Sequence, residues 1–163
     1  MSTTFQDISN NLSQVVAAAG RSVVRVEGRR RSAASGIVWS SDGLIVTANH
    51  VLHRDENLRI GLGDDRTLDA AVVGRDPSTD LALLKIEAEG LEVLPVAEDV
   101  DMSVGHLVLA LGRPGHTVQA SLGSVSALGN SWRTPMGGQV DHYLQTDVVM
   151  YPGFSGGPLV GAG

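Results

Sequence analysis

The segment YPGFSGGPLV sets Ser155 between Phe154 and a glycine pair, with Gly153 two residues before it. Glycines here let the backbone turn sharply and approach a neighbour closely, which leaves the serine hydroxyl unobstructed. The same turn can aim the amide hydrogens of Gly153 and Ser155 at one spot, as a backbone oxyanion hole requires. Taken alone, the segment also fits a glycine-rich turn with an incidental serine. GFSGG further matches the nucleophile elbow of α/β-hydrolases, but in that fold the acid and the histidine follow the serine. Only eight residues follow Ser155, none of them Asp, Glu or His. The elbow also needs a helix after the serine, which Gly156, Gly157 and Pro158 would start badly.

A serine hydroxyl is a weak nucleophile at neutral pH, so the chemistry calls for an upstream histidine to take its proton. Five are present. His50 ends the apolar run GLIVTANHVL, a strand end anchored by a core and suited to a positioned base. His53 sits among Arg54, Asp55 and Glu56 and reads as exposed, while His106, His116 and His142 lie in or beside loops. His50 and His53 lack an intervening glutamate or an indicated third ligand, so a metal site does not follow. The imidazole in turn needs a carboxylate to fix its tautomer and stabilise its charged form. Asp64, Asp65 and Asp69 lie in or beside a polar turn, Asp76 precedes a proline in another, and Asp99 and Asp101 fall in a long connection. Asp80 abuts LALLKI, where a buried carboxylate would demand a strong partner. Its alternative role is to cap the preceding turn.

These residues need a frame. The 163 residues, 42% of them apolar, are enough for one ordinary domain, and 20 glycines with 4% aromatics favour a turn-rich β protein. Phe5, Ile8, Leu12, Val15, Val16 and Ala19 recur at helical spacing, predicting a helix over 3–19 that stops at Gly20. Then SVVRVEG, SGIVWS, GLIVTANHVL, LRIGLG, LDAAVVGRD, LALLKIE, HLVLALG and QASLGSVSALG read as short strands between turns such as 41–43, 63–65 and 76–79. The connection 95–105 separates two β halves, and 129–141 reads as an irregular, mobile stretch.

There are no cysteines and the net charge is −6, which removes thiolate chemistry and disulfides and argues against nucleic acid as the partner. Arg29, Arg30 and Arg31 read as a solvated loop. No stretch is apolar enough to span a membrane, and the first thirty residues lack a secretion signal. As given, the chain would stay in the cytoplasm; a periplasmic or secreted site would need a leader outside this sequence.

The order His50, Asp80, Ser155 is that of chymotrypsin-like proteases. Through SGIVWSSDGLIVTANHVL, DPSTDLALLKI and QTDVVMYPGFSGGPLV, the chain resembles the HtrA or Deg group of trypsin-like serine proteases from about residue 22 onward. The resemblance implies an all-β fold of two perpendicular six-stranded barrels behind a short N-terminal helix. The divisions are 1–20 for the helical segment, 21–97 for the first barrel with His50 and Asp80, and 98–163 for the second with Ser155. It implies a Ser155–His50–Asp80 triad with Gly153 and Ser155 amides as oxyanion hole, no metal or cofactor, unfolded polypeptide substrates, and trimers through the N-terminal segment around Phe5. It also calls for further strands after Gly163 and a downstream PDZ domain, so the second barrel is expected to be incomplete in this chain. Phe154 stands where the family usually has asparagine, for which altered loop packing is expected. A catalytically silent peptide-binding or chaperone-like module of the same fold is the alternative.

Overall fold

The computed structural model describes residues 3–98 and 101–162. The chain begins with a reciprocal cap: Thr4 Oγ1 accepts the Asp7 N–H at 3.1 Å and Asp7 Oδ2 accepts the Thr4 N–H at 3.0 Å. Helix α1 then runs Phe5–Gly20. Gly20, expected to stop the helix, is its last residue, and its small size admits Val118 at close range. Leu12, Val15, Val16 and Ala19 pack on Val23, Leu109 and Leu111, whereas Phe5 is left 93% exposed.

Six strands follow: β1 Val23–Glu27, β2 Ala34–Val38, β3 Leu44–Ala48, β4 Leu58–Gly61, β5 Thr67–Asp76 and β6 Leu81–Ile86. All pair antiparallel in the order β1-β2-β3-β6-β5-β4, and β4 closes back on β1 to make a barrel. Alternate residues point inward. Val24, Val26, Ile45, Leu58, Ile60, Leu84 and Ile86 fill the interior with at most 1% exposure, each contributing about 1.5–3 kcal/mol. A register shift between Val72 and Gly74 bends the long β5 around this core. The three arginines 29–31 lie in the loop joining β1 to β2, as read from sequence.

The second half comprises β7 Leu107–Gly112, β8 Gln119–Gly129, β9 Trp132–Arg133, β10 Gln139–Val140, β11 Tyr143–Thr146 and β12 Leu159–Gly161. Among the described residues it forms an open sheet, β11-β8-β7-β12, and a β9–β10 ribbon rather than a closed barrel. The stretch 129–141, expected to be irregular, supplies that ribbon. Thr134 Oγ1 caps its turn, accepting from Gly138 N–H at 3.0 Å, and donates to the Ser78 carbonyl at 2.5 Å. β6 ends at Ile86 and β7 begins at Leu107, so 95–105 falls between the halves in sequence; Asp99, one of the aspartates weighed above, lies outside the described residues.

Arg113 ties the halves together. It is 5% exposed, and its guanidinium donates to the carbonyls of Val23 at 2.7 Å, Gly20 at 2.8 Å and His116 at 2.6 Å. Burial, with Arg25 nearby, holds its pKa below the usual arginine value. Three carbonyl acceptors offset the cost of enclosing this cation.

Candidate active site

Strand β3 ends at Ala48, and His50 rides on a single 3-10 turn, Asn49–Val51, just beyond it. Fully buried Val51 anchors the turn from below. Arg75 of β5 holds it from the side, donating to Asn49 Oδ1 at 3.2 Å and to the Leu52 carbonyl at 3.0 Å.

Asp80 precedes β6 in a left-handed conformation, φ +59°, which aspartate tolerates better than most residues. Its carbonyl accepts the Asn49 N–H at 3.0 Å. Its carboxylate grips His50 twice, Oδ1 accepting the backbone N–H at 2.8 Å and Oδ2 facing Nδ1 at 2.6 Å. With Asp80 ionised, Nδ1 is the donor and Nε2 is left as an acceptor. The burial expected for Asp80 is not found, since its side chain is 48% exposed and that of His50 is 54% exposed. The reason is that Asp80 belongs to the surface turn 77–80, and Leu81, the first residue of β6, is itself 51% exposed. What distinguishes Asp80 is backbone geometry and a two-point contact. The turn is laced by Asp76, which accepts from Ser78 Oγ at 2.5 Å and Thr79 Oγ1 at 2.6 Å, and those hydroxyls lower its pKa below 3.8.

Ser155 lies in two consecutive turns. Phe154 N–H donates to the Tyr151 carbonyl at 3.0 Å and Gly157 N–H to the Phe154 carbonyl at 2.9 Å. Gly153 and Gly156, third in each turn, have φ of +87° and +89°, the type II pattern, and Pro152 suits the second position of the first. Phe154 is 1% exposed, stacked edge-on to Tyr151 at 5.4 Å and closely facing Gly112. Phenylalanine at this position is thus packed inward, away from the turn's exposed face. Among the described residues the amides of Gly153 and Ser155 donate to no protein acceptor, and no hydrogen bond joins Ser155 Oγ to His50 Nε2.

The serine turn is seated on the rim of the first barrel. Ser155 O accepts the Ser35 N–H of β2 at 3.0 Å. A Cβ at Gly156 would overlap the Ser35 carbonyl and Thr47 Oγ1 and stand 3.1 Å from Ala48 N. The turn therefore rests on the same end of β3 that leads into His50.

The remaining candidates lie away from Ser155. His53, His106, His116 and His142 are exposed; His106 Nδ1 accepts from Ser103 N–H at 3.1 Å and His116 Nδ1 faces Asp65 at 3.5 Å. Asp64 pairs with Arg66 at 2.8 Å and Asp69 with Arg59 at 3.9 Å. A cleft of about 720 Å³ lined by Arg25, Arg31, Pro114, His116 and Pro152 adjoins the serine turn without including His50, Asp80 or Ser155. Sequence reasoning missed Ser35, Arg75 and Arg113. Arg113 carried a signal, a cation directly after the apolar LVLALG, but Ser35 within SGIV carried none.

A closed six-stranded barrel, followed by a second antiparallel sheet whose serine turn docks on the barrel's rim, is a chymotrypsin-like fold. The trypsin-like peptidase domain family matches residues 34–162, and the chain belongs to that family. It is 42% identical over 134 residues to a Marinomonas protein named "Probable periplasmic serine endoprotease DegP-like", covering 82% of this chain and 28% of that protein. A protein of the same name from Ectopseudomonas mendocina is 40% identical over 136 residues, with 81% and 28% covered. The solved serine endoprotease of Yersinia pestis superposes with a TM-score of 0.77 at 31% identity, over 99% of this chain and 55% of that one. The chain thus spans little more than a quarter of the length of these curated relatives.

Proposed function

We propose that this chain is a serine endopeptidase domain with Ser155 as nucleophile, His50 as general base and Asp80 as the group that orients it. The observation that carries this reading is the two-point contact of Asp80 on His50, with Oδ2 2.6 Å from Nδ1, which leaves Nε2 basic. His50 takes the Ser155 proton as the hydroxyl attacks a peptide carbonyl, and the Gly153 and Ser155 amides stabilise the oxyanion. The carbon–nitrogen bond breaks as His50 returns that proton to the leaving amine, forming an acyl-enzyme. His50 then activates a water that attacks the ester and restores Ser155. Asp80 stays ionised throughout.

The names of the DegP-like relatives favour action in the periplasm, and from the resemblance to the HtrA or Deg group we further propose unfolded or damaged polypeptides as substrates and assembly as trimers. We keep the division into 1–20, 21–97 and 98–163, and no described strand crosses residues 20–21 or 97–98. The open edges of β11 and β12 among the described residues favour a second reading, a peptide-binding module that adds a strand. A fluorophosphonate label separates the two. Ser155 is labelled in the folded wild type, casein is cut, and Ser155→Ala does neither; a folded wild type that resists the label and leaves casein intact overturns the protease reading.

A further inference from the structure

Ser35 is fully buried with every polar group engaged, its N–H and Oγ across the seam between the halves and its carbonyl within the first barrel. Its N–H donates to the Ser155 carbonyl at 3.0 Å and its carbonyl accepts from Thr47 Oγ1 at 2.7 Å. Its Oγ accepts the Arg113 N–H at 2.8 Å and lies 2.7 Å from the Gly153 carbonyl. An amide can only donate, so the single hydroxyl hydrogen of Ser35 is committed to Gly153 O. Arg113, held by its three carbonyls, fixes the other end of that relay.

We propose that Ser35 is a positioning residue that holds the oxyanion turn in its working shape, an inference that rests on the protease reading. The two carbonyls it anchors, those of Gly153 and Ser155, bracket the peptide that carries the Ser155 N–H. They also restrain Gly153, which holds φ +87° and whose missing side chain gives its backbone little restraint of its own. An oxyanion hole works only if its donors are already aimed, and losing one donor costs roughly 10²–10³ in turnover.

The test is Ser35→Ala, with Ser35→Cys as the variant that keeps the volume but offers only a weak donor. Fluorophosphonate inactivation separates kinact from KI, and hydrogen exchange of segment 151–157 reports the turn without reference to catalysis. In folded Ser35→Ala we expect kinact to fall about 10- to 100-fold with KI within about twofold, and exchange to rise about tenfold. Ser35→Cys falls between, and decides the question should the alanine variant not fold. A folded variant with kinact and exchange both near wild type overturns the proposal, as does a rise in KI alone. If wild type is never labelled, the protease reading fails by itself; faster exchange in the variants then still supports the clamp, and unchanged exchange removes it.

Discussion

Replacing Asp80 by asparagine should disable His50 through its tautomer, and the two-point contact shows how. Oδ1 accepts the His50 backbone N–H at 2.8 Å, an amide that cannot reverse its role, so the oxygen of the introduced carboxamide must take that position. Its NH₂ then faces Nδ1 across the present 2.6 Å gap. Nδ1 becomes an acceptor and the imidazole hydrogen moves to Nε2, the atom needed to receive the Ser155 proton. Turning the carboxamide over restores the tautomer but sets two donors against each other at the backbone, costing about 1–3 kcal/mol. Exchanging a charge-assisted bond to the imidazolium for a neutral one costs about 1–2 kcal/mol more. The sum, about 2–5 kcal/mol, corresponds to roughly 30- to 5,000-fold in rate. Side chains 48% and 54% exposed let water soften both terms, which favours the lower part of that range, about 10²-fold. The assay is the fluorophosphonate inactivation rate near neutral pH, with thermal melting to verify folding and Ser155→Ala as the floor. A loss under about tenfold in a folded variant would refute the tautomer reasoning.

Three further outcomes follow. Phe154→Ala empties a socket against Tyr151 and Gly112 that is 1% exposed and should cost about 3–5 kcal/mol in denaturant unfolding; a loss below about 1 kcal/mol would mean the ring is not buried in solution. Gly156→Ala forces a side chain onto φ +89° and into the Ser35 carbonyl, so it should lose about 2–5 kcal/mol of stability or unseat the turn and abolish labelling. Asp76, held by the Ser78 and Thr79 hydroxyls, should titrate below 3.8 by NMR. Its folded value lies under its unfolded one, so its contribution is present above that range and lost as pH falls through the folded value, and Thr79→Ala should move it back up.

The strands and the serine turn were legible because their signals are local. Alternation in SVVRVEG and LALLKIE, and the glycines around Ser155, depend on neighbours in the chain, and the structure places elements where those neighbours indicate. His50 was legible as the residue closing an apolar run. Asp80 was chosen by residue type and position, but for a reason the structure rejects: adjacency to LALLKI does not bury a residue that sits in the turn before the strand. The left-handed backbone that aims its carboxylate depends on the β5–β6 hairpin and on Asn49 from the 3-10 turn after β3, and no window around residue 80 contains that information. Ser35 and Arg75 were invisible as site residues for the same reason, because their partners lie 118 and 26 residues away, and the cation after LVLALG marks Arg113 as unusual without naming its partner 90 residues back.

That division between local and distant signals bears on how a serine so flexibly flanked could be held still. A glycine-rich turn carries conformational freedom, roughly 0.5–1 kcal/mol per glycine relative to alanine, that must be removed before its amides can act as a fixed oxyanion site. The segment itself supplies two turn hydrogen bonds and the buried Phe154 ring. The rest comes from the other half of the molecule, where the backbone of β2 at Ser35 meets Gly156 and accepts no side chain in between. Close approach to a strand inside a closed barrel is a stiff boundary, since a strand backbone cannot step aside as a side chain can. Glycine at Gly156 is thus what admits the restraint as well as what permits the turn. The rigidity of the proposed oxyanion site belongs to the seam between the halves, and a substitution at Ser35 or Arg113 should reach Ser155 with every residue of the serine segment left unaltered.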